Sequence, residues 1–437
     1  MRPTRRQLIG GAAAATLLSP VSGLVGNAFG AAAVDPATAK RRRLVVIFQS
    51  GGNDGLNTVV PMADVSGAAR RSVYEKVRPT LALSPSSLLA LNRRGDTEHE
   101  LGLHPSLATM SALYTSGRVA VVQGVDYPAH DYSHFRSTDI WQSGEPGRSP
   151  STGWIGRHLD RAGVGEGELR GAAVGGIEPP LILRGSRRQG AGIVSIAATR
   201  FGDGKAPVAS ARHDGLARYG THPSAEILAS YAGRQDRATV RIVRALGATA
   251  PPPVTQSRFA DAMLTARTLL EEDLGVECVF VEQPGYDTHT NQLNAHAQRL
   301  ADLDGGIEAF LYGRYRGTDL KVGALNPRVA NHTLIVTFSE FGRRIGEAGV
   351  GAAAGTDHGA AAPLFVIGPA APSGPGRLVA GIHGDHPGMG TTTLPADNLA
   401  MTTDLRRIYA AVMEHWLRDP DPLYTRGSAP LPGLFSS

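Results

Sequence analysis

The chain reads as an α/β protein with a mostly parallel central sheet covered by helices on both faces. Three observations predict it. Short apolar, β-branched runs recur at 44–48, 119–122, 276–281, 333–338 and 363–367; each ends in a polar, glycine-rich loop; and helical apolar spacing fills the gaps between them.

Leu44-Val45-Val46-Ile47-Phe48 stops abruptly at Ser50-Gly51-Gly52, as a central strand buried on both faces would. The other four runs have the same form. Apolar residues spaced three or four apart predict helices over 105–114, 224–246, 257–270, 291–311 and 404–417, most clearly at Leu293, Leu300, Leu303, Ile307 and Phe310. Between 163 and 223 glycine is frequent and helical spacing is weak, so this segment reads as an insertion or cap over the sheet. The Pro/Ala-rich stretch 248–253 reads as a connector. Residues 34–437 are therefore expected to form a single domain.

Residues 1–33 have a different character. Thr4-Arg5-Arg6-Gln7-Leu8-Ile9 precedes a moderately apolar stretch that closes on Ala31-Ala32-Ala33, the pattern of a twin-arginine signal peptide with its cleavage site. Pro20, Ser19, Ser22 and several glycines break that stretch, so it lacks the roughly 20 continuous apolar residues of a membrane span. The expected partner is the twin-arginine translocase, the expected location is periplasmic or extracellular, and no stable transmembrane segment should remain after cleavage.

The formal charge is +5, and loss of Arg2, Arg5 and Arg6 with the signal leaves about +2. Near neutrality argues against a nucleic-acid partner, which would require a basic face. The single cysteine, Cys278, has no disulfide partner within the chain and lies in an apolar run, where a buried strand residue is expected.

Chemistry gathers just beyond the strands, where open α/β sheets bind ligands. After the first strand, 49–58 place Asp54 in a glycine-rich turn. After the second, 124–136 bring together His130, Asp131, Ser133, His134 and Arg136. Ser133 is an activated nucleophile, an anion-binding group acting with the helix N-terminal amides, or the N-cap of a helix. Asp287 and His289 follow the third strand and suit a divalent ion, because alternate residues of an extended segment point the same way. Glu340 and Arg343 follow the fourth, with Asp357 and His358 shortly after, and His383 stands beyond the fifth. Acid and imidazole donors without useful thiolate favour one or two ions of Zn²⁺, Mn²⁺, Mg²⁺ or Ca²⁺. His104, His158, His296 and His415 lie in or beside predicted helices and are expected to be structural.

The segments 51–57, 133–135, 285–289, 339–344 and 356–359 resemble a bacterial family catalogued as domain of unknown function 1501, typically exported with twin-arginine signals. That family is similar in fold to the alkaline phosphatase and sulfatase superfamily. The resemblance implies metal ligands at Asp54, Asp287, His289, Glu340, Asp357, His358 and His383, and a nucleophile at Ser133 with His134 and Arg136 beside it. The expected function is hydrolysis of phosphate or sulfate esters. The alternative is a non-catalytic exported protein that binds an anionic or cell-envelope ligand.

Overall fold

The computed structural model describes residues 41–436, apart from 66, 67, 69, 93–99, 162–169, 177–178, 194–252, 273, 370–375, 394–395 and 422–427. The signal segment, the helix expected over 224–246 and most of the expected insertion lie outside the described residues.

Among the described residues, one nine-stranded sheet draws its strands from Arg43 to Asp404. In chain order they are β1 (Arg43–Ser50), β2 (Val119–Asp126), β3 (Gly171–Val174), β4 (Ala191–Ile193), β5 (Cys278–Pro284), β6 (Thr333–Phe338), β7 (Ala362–Ile367), β8 (Gly381–His383) and β9 (Thr403–Asp404). The spatial order is β8-β2-β7-β6-β1-β5-β3-β4, and β9 also pairs with β2. All run parallel except β7, which is antiparallel to β6 and β2. Register aligns the ends: Ser50 faces Pro284 and Phe48 faces Phe338, so β1, β5 and β6 stop together at one edge.

Alternation along β1 explains the layers. Val45 and Ile47 enter a core with α1 (Ala108–Thr115), α4 (Arg258–Glu271) and α5 (Gln292–Tyr312). Leu44, Val46 and Phe48 enter the opposite core with α2 (His134–Ser143), α3 (Trp154–Arg161) and α6 (Leu405–Ala411). Successive side chains of a strand point to opposite faces, so a run apolar at every position must be covered twice. No helix among the described residues is long and apolar enough to cross a membrane.

The described part of the expected cap departs from that reading. Gly171–Val174 and Ala191–Ile193 extend the main sheet as parallel strands, and Leu181–Leu183 is a single 3₁₀ turn. Small residues let these strands pack closely but leave no β-branched signature.

Beneath the loop after β1 lie two buried histidines. His104 and His296 meet edge to face at 6.0 Å, and His296 Nε2 lies 2.8 Å from Asn53 Oδ1. Burial pushes His104 down to about 4 and His296 to about 3 from an ordinary 6.5, with the Asp54 charge opposing the shift. The unfolded chain therefore binds more protons below pH about 6.5, and stability should fall as pH falls from there towards 3 to 4. Each histidine should contribute a slope of about 1 kcal/mol per pH unit. Denaturant unfolding at pH 7 and pH 5 should show this loss; equal stabilities would contradict it.

Candidate functional site

The carboxyl edge of β1, β5 and β6 carries a cluster of three histidines around one carboxylate. His289 Nε2 lies 3.0 Å and His358 Nε2 3.2 Å from Asp287 Oδ1, while His134 Nε2 lies 3.6 Å from Asp287 Oδ2. The two nitrogens of His289 and His358 are themselves only 3.1 Å apart. His134, Asp287 and His358 each bring one donor atom to within 4.8 Å of the others.

Each imidazole is oriented from behind at Nδ1. Glu340 Oε1 faces His134 Nδ1 at 2.8 Å, Asp357 Oδ1 faces His289 Nδ1 at 3.3 Å, and the Tyr132 carbonyl faces His358 Nδ1 at 2.9 Å. Carbonyls and ionised carboxylates only accept hydrogen bonds, so the Glu340 and Tyr132 contacts suit a proton on Nδ1 of His134 and His358. The three Nε2 atoms face Asp287. Outer acceptors fix ring orientation in this way at imidazole metal sites.

Glycine makes the close approach possible. Gly51 (φ +117°) and Gly52 (φ +82°) occupy conformations that side-chain-bearing residues rarely adopt. A Cβ at Gly51 would collide with the backbone of Asp287, and one at Gly52 with the Phe341 ring. The Gly51 amide is then free to donate to Glu340 Oε1 at 2.8 Å, which ties the β1 loop to the residue orienting His134.

Arg343 organises the cluster from beneath. It is 1% exposed and donates to the carbonyls of Gly51, Gly52, Tyr286 and Thr356 and, at 2.6 Å, to Asp287 Oδ1. Burial works to raise the Asp287 pKa, but the hydrogen bond and charge of Arg343, with His358 and His289, hold it below the ordinary carboxylate value. The hydrogen bond to Glu340 raises the pKa of His134, whereas burial lowers that of His358.

The structure thus brings together His134, Asp287, His289 and His358, and sets Glu340 and Asp357 behind them. Glu340 is corrected from ligand to orienting group: both of its oxygens are engaged, by Gly51, His134 and Ser339. Asp54 lies apart and fully buried, paired with Arg78 through both oxygens at 2.6 and 3.0 Å and bonded by Gln292. Burial works to raise its pKa, yet Arg78 holds it low. His383 is part of β8, its Nε2 on the Val379 carbonyl at 2.7 Å, outside the cluster. Arg136 donates to the Arg148 carbonyl, also outside it.

Ser133 caps α2. It is exposed, and its Oγ accepts from the Arg136 amide at a long 3.5 Å. Ser133→Ala should therefore cost at most about 1 kcal/mol in unfolding experiments. A larger loss would give the hydroxyl a further role. The sequence reading missed Arg78, the buried partner of Asp54, and the Tyr132 carbonyl behind His358. No local pattern marks either one.

The family described as "Protein of unknown function (DUF1501)" matches residues 41–405. No curated protein matches the chain.

Proposed function

The chain belongs to the DUF1501 family, and from that premise we propose that it is an exported, metal-dependent hydrolase of phosphate or sulfate esters. One observation carries the reading. His289 Nε2 and His358 Nε2 lie 3.1 Å apart and 3.0 and 3.2 Å from Asp287 Oδ1, a convergence of imidazole and carboxylate ligand atoms that one divalent cation would satisfy.

His134, His289 and His358 through Nε2, with Asp287, are the residues that would hold the ion. Three imidazoles and one carboxylate fit Zn²⁺ better than Mg²⁺ or Ca²⁺, which prefer oxygen alone. Such an ion supplies Lewis-acid polarisation of a phosphoryl or sulfuryl oxygen. Glu340, Asp357 and the Tyr132 carbonyl keep the three rings aimed, and Arg343 keeps Asp287 ionised beneath them. The cluster stands at the carboxyl edge of the sheet, where this architecture binds ligands, and Asp287 is 46% exposed. Resemblance to the alkaline phosphatase superfamily supplies the ester class, and the twin-arginine pattern at Arg5-Arg6 supplies export.

A non-catalytic binding protein is the second reading. The ion pair from Arg343 to Asp287 and the N-cap role of Ser133 favour it. Assay of the Zn²⁺-loaded protein on aryl phosphates and aryl sulfates separates the two. The hydrolase reading expects turnover that chelation abolishes and His358→Ala removes, whereas metal-loaded protein without turnover of either class leaves the binding reading standing.

A further inference from the structure

A fourth imidazole lies one ring behind the cluster and has no role in it. His130 Nδ1 is 2.9 Å from both oxygens of Asp126, which ends β2 at the same sheet edge and is 2% exposed. A carboxylate only accepts, so the proton lies on Nδ1 and Nε2 carries the lone pair. That nitrogen is shielded from solvent and has no hydrogen-bond partner among the described residues. A buried polar atom left without a partner is unfavourable and uncommon in folded proteins.

The backbone is strained to hold it there. Ala129, the preceding residue, sits at φ +57°, in the left-handed region that a residue with a Cβ seldom adopts. Strain of this kind persists where surrounding structure enforces it, and it concentrates at functional sites. Tyr127 stacks on the His130 ring at 5.4 Å and is fixed by Ser137 Oγ and by the amide and carbonyl of Asp131. Tyr132 packs against the ring edge-on at 4.6 Å, is 44% exposed and accepts one 3.3 Å bond from Asn398 at its hydroxyl.

Two contacts tie this pair to the cluster. The Tyr132 carbonyl orients His358. The Phe341 ring, 6.5 Å from His130, also packs on His134 at 4.9 Å and on His358 at 4.4 Å.

Resting on the hydrolase reading above, we propose that Asp126 and His130 form the general-acid dyad of the site, with Tyr132 as its movable cover. When Tyr132 swings aside, Nε2 takes a proton from solvent and Asp126 balances the imidazolium charge. As the bridging ester bond to phosphorus breaks, His130 gives that proton to the departing oxygen. A water oxygen bonds to phosphorus and its proton returns to solvent, so the net change is ester plus water to alcohol plus phosphate. The dyad therefore matters most for esters whose leaving oxygen is strongly basic.

The Zn²⁺-loaded full-length protein and its His130→Gln and Asp126→Asn variants are compared on p-nitrophenyl phosphate, whose leaving group departs as an anion, and on ethyl phosphate, whose leaving oxygen requires a proton. The variants should lose about 100-fold or more in kcat on ethyl phosphate and less than about threefold on p-nitrophenyl phosphate. Equal losses on both esters, or no loss on either, overturn the dyad's role. Wild-type protein that turns over neither these phosphates nor the matching p-nitrophenyl and ethyl sulfates overturns the hydrolase reading and the dyad with it. If the variants do not fold, nitrogen-15 spectra of histidine-labelled wild type at alkaline pH decide. Proton on Nδ1 of His130 is expected, and proton on Nε2 overturns the proposal.

Discussion

Arg343→Met should be among the most destabilising single substitutions in this protein, by about 3–5 kcal/mol in denaturant unfolding, and should abolish metal retention. The methionine fills the volume but withdraws every donor from the carbonyls of Gly51, Gly52, Tyr286 and Thr356. These carbonyls belong to three separate loops, after β1, after β5 and before β7, which Arg343 ties together through their backbone. Asp287 would also lose its 2.6 Å partner, and with it the charge that keeps its carboxylate ionised. A lysine has one compact ammonium in place of the planar fork and cannot span the same set, so Arg343→Lys should recover only part of the loss. A near-wild-type Arg343→Met protein that still binds metal would show that the loops hold themselves.

Asp54→Asn should cost a similar 3–5 kcal/mol while leaving the metal site filled, because its role lies in the buried pair with Arg78. Arg78 is 0% exposed and donates to Asp54, to Asn57 Oδ1 and to the carbonyls of Ile345 and Arg344. Neutralising Asp54 leaves that guanidinium buried without a counter-charge. The double variant Asp54→Asn, Arg78→Met should then lose less than the two single losses added together, since the stranded charge is gone. Loss of metal at unchanged stability would instead return Asp54 to the ligand set.

How far the sequence reveals this molecule depends on what each signal measures. Runs such as Leu44–Phe48 and Thr333–Phe338 are legible because a strand buried on both faces must be apolar at every position. Gly171–Val174 and Gly381–His383 are edge or near-edge strands with few β-branched residues, and they leave no such trace. The helix His134–Ser143 escapes periodicity because only Ile140 and Trp141 supply its buried apolar side chains, although its N-cap Ser133 is visible.

The site divides along the same line. Asp287, His289 and His358 follow strand ends, and strand ends are what a sequence pattern locates. Whether a carboxylate there faces an ion or an arginine depends on a partner far along the chain. Arg78 lies 24 residues from Asp54, and Glu340 is 206 residues from His134. Local pattern carries no record of either pairing, so Asp54 and Glu340 resemble ligands in sequence yet serve as an ion-pair member and an orienting group. Arg343 shows the same limit: the sequence places it after the fourth strand beside Glu340, and only the folded structure shows it buried as the clamp beneath Asp287.

The central claim is that three Nε2 atoms and Asp287 converge to hold a divalent cation. Elemental analysis tests it most directly, on natively exported protein made in metal-replete medium and freed of loosely bound ions. The account predicts about one equivalent of Zn²⁺ per chain, lost in the Asp287→Asn, His358→Ala double variant while the protein stays folded. Wild-type protein that carries no divalent metal, and whose thermal stability is unchanged by chelator or by added Zn²⁺, would contradict it.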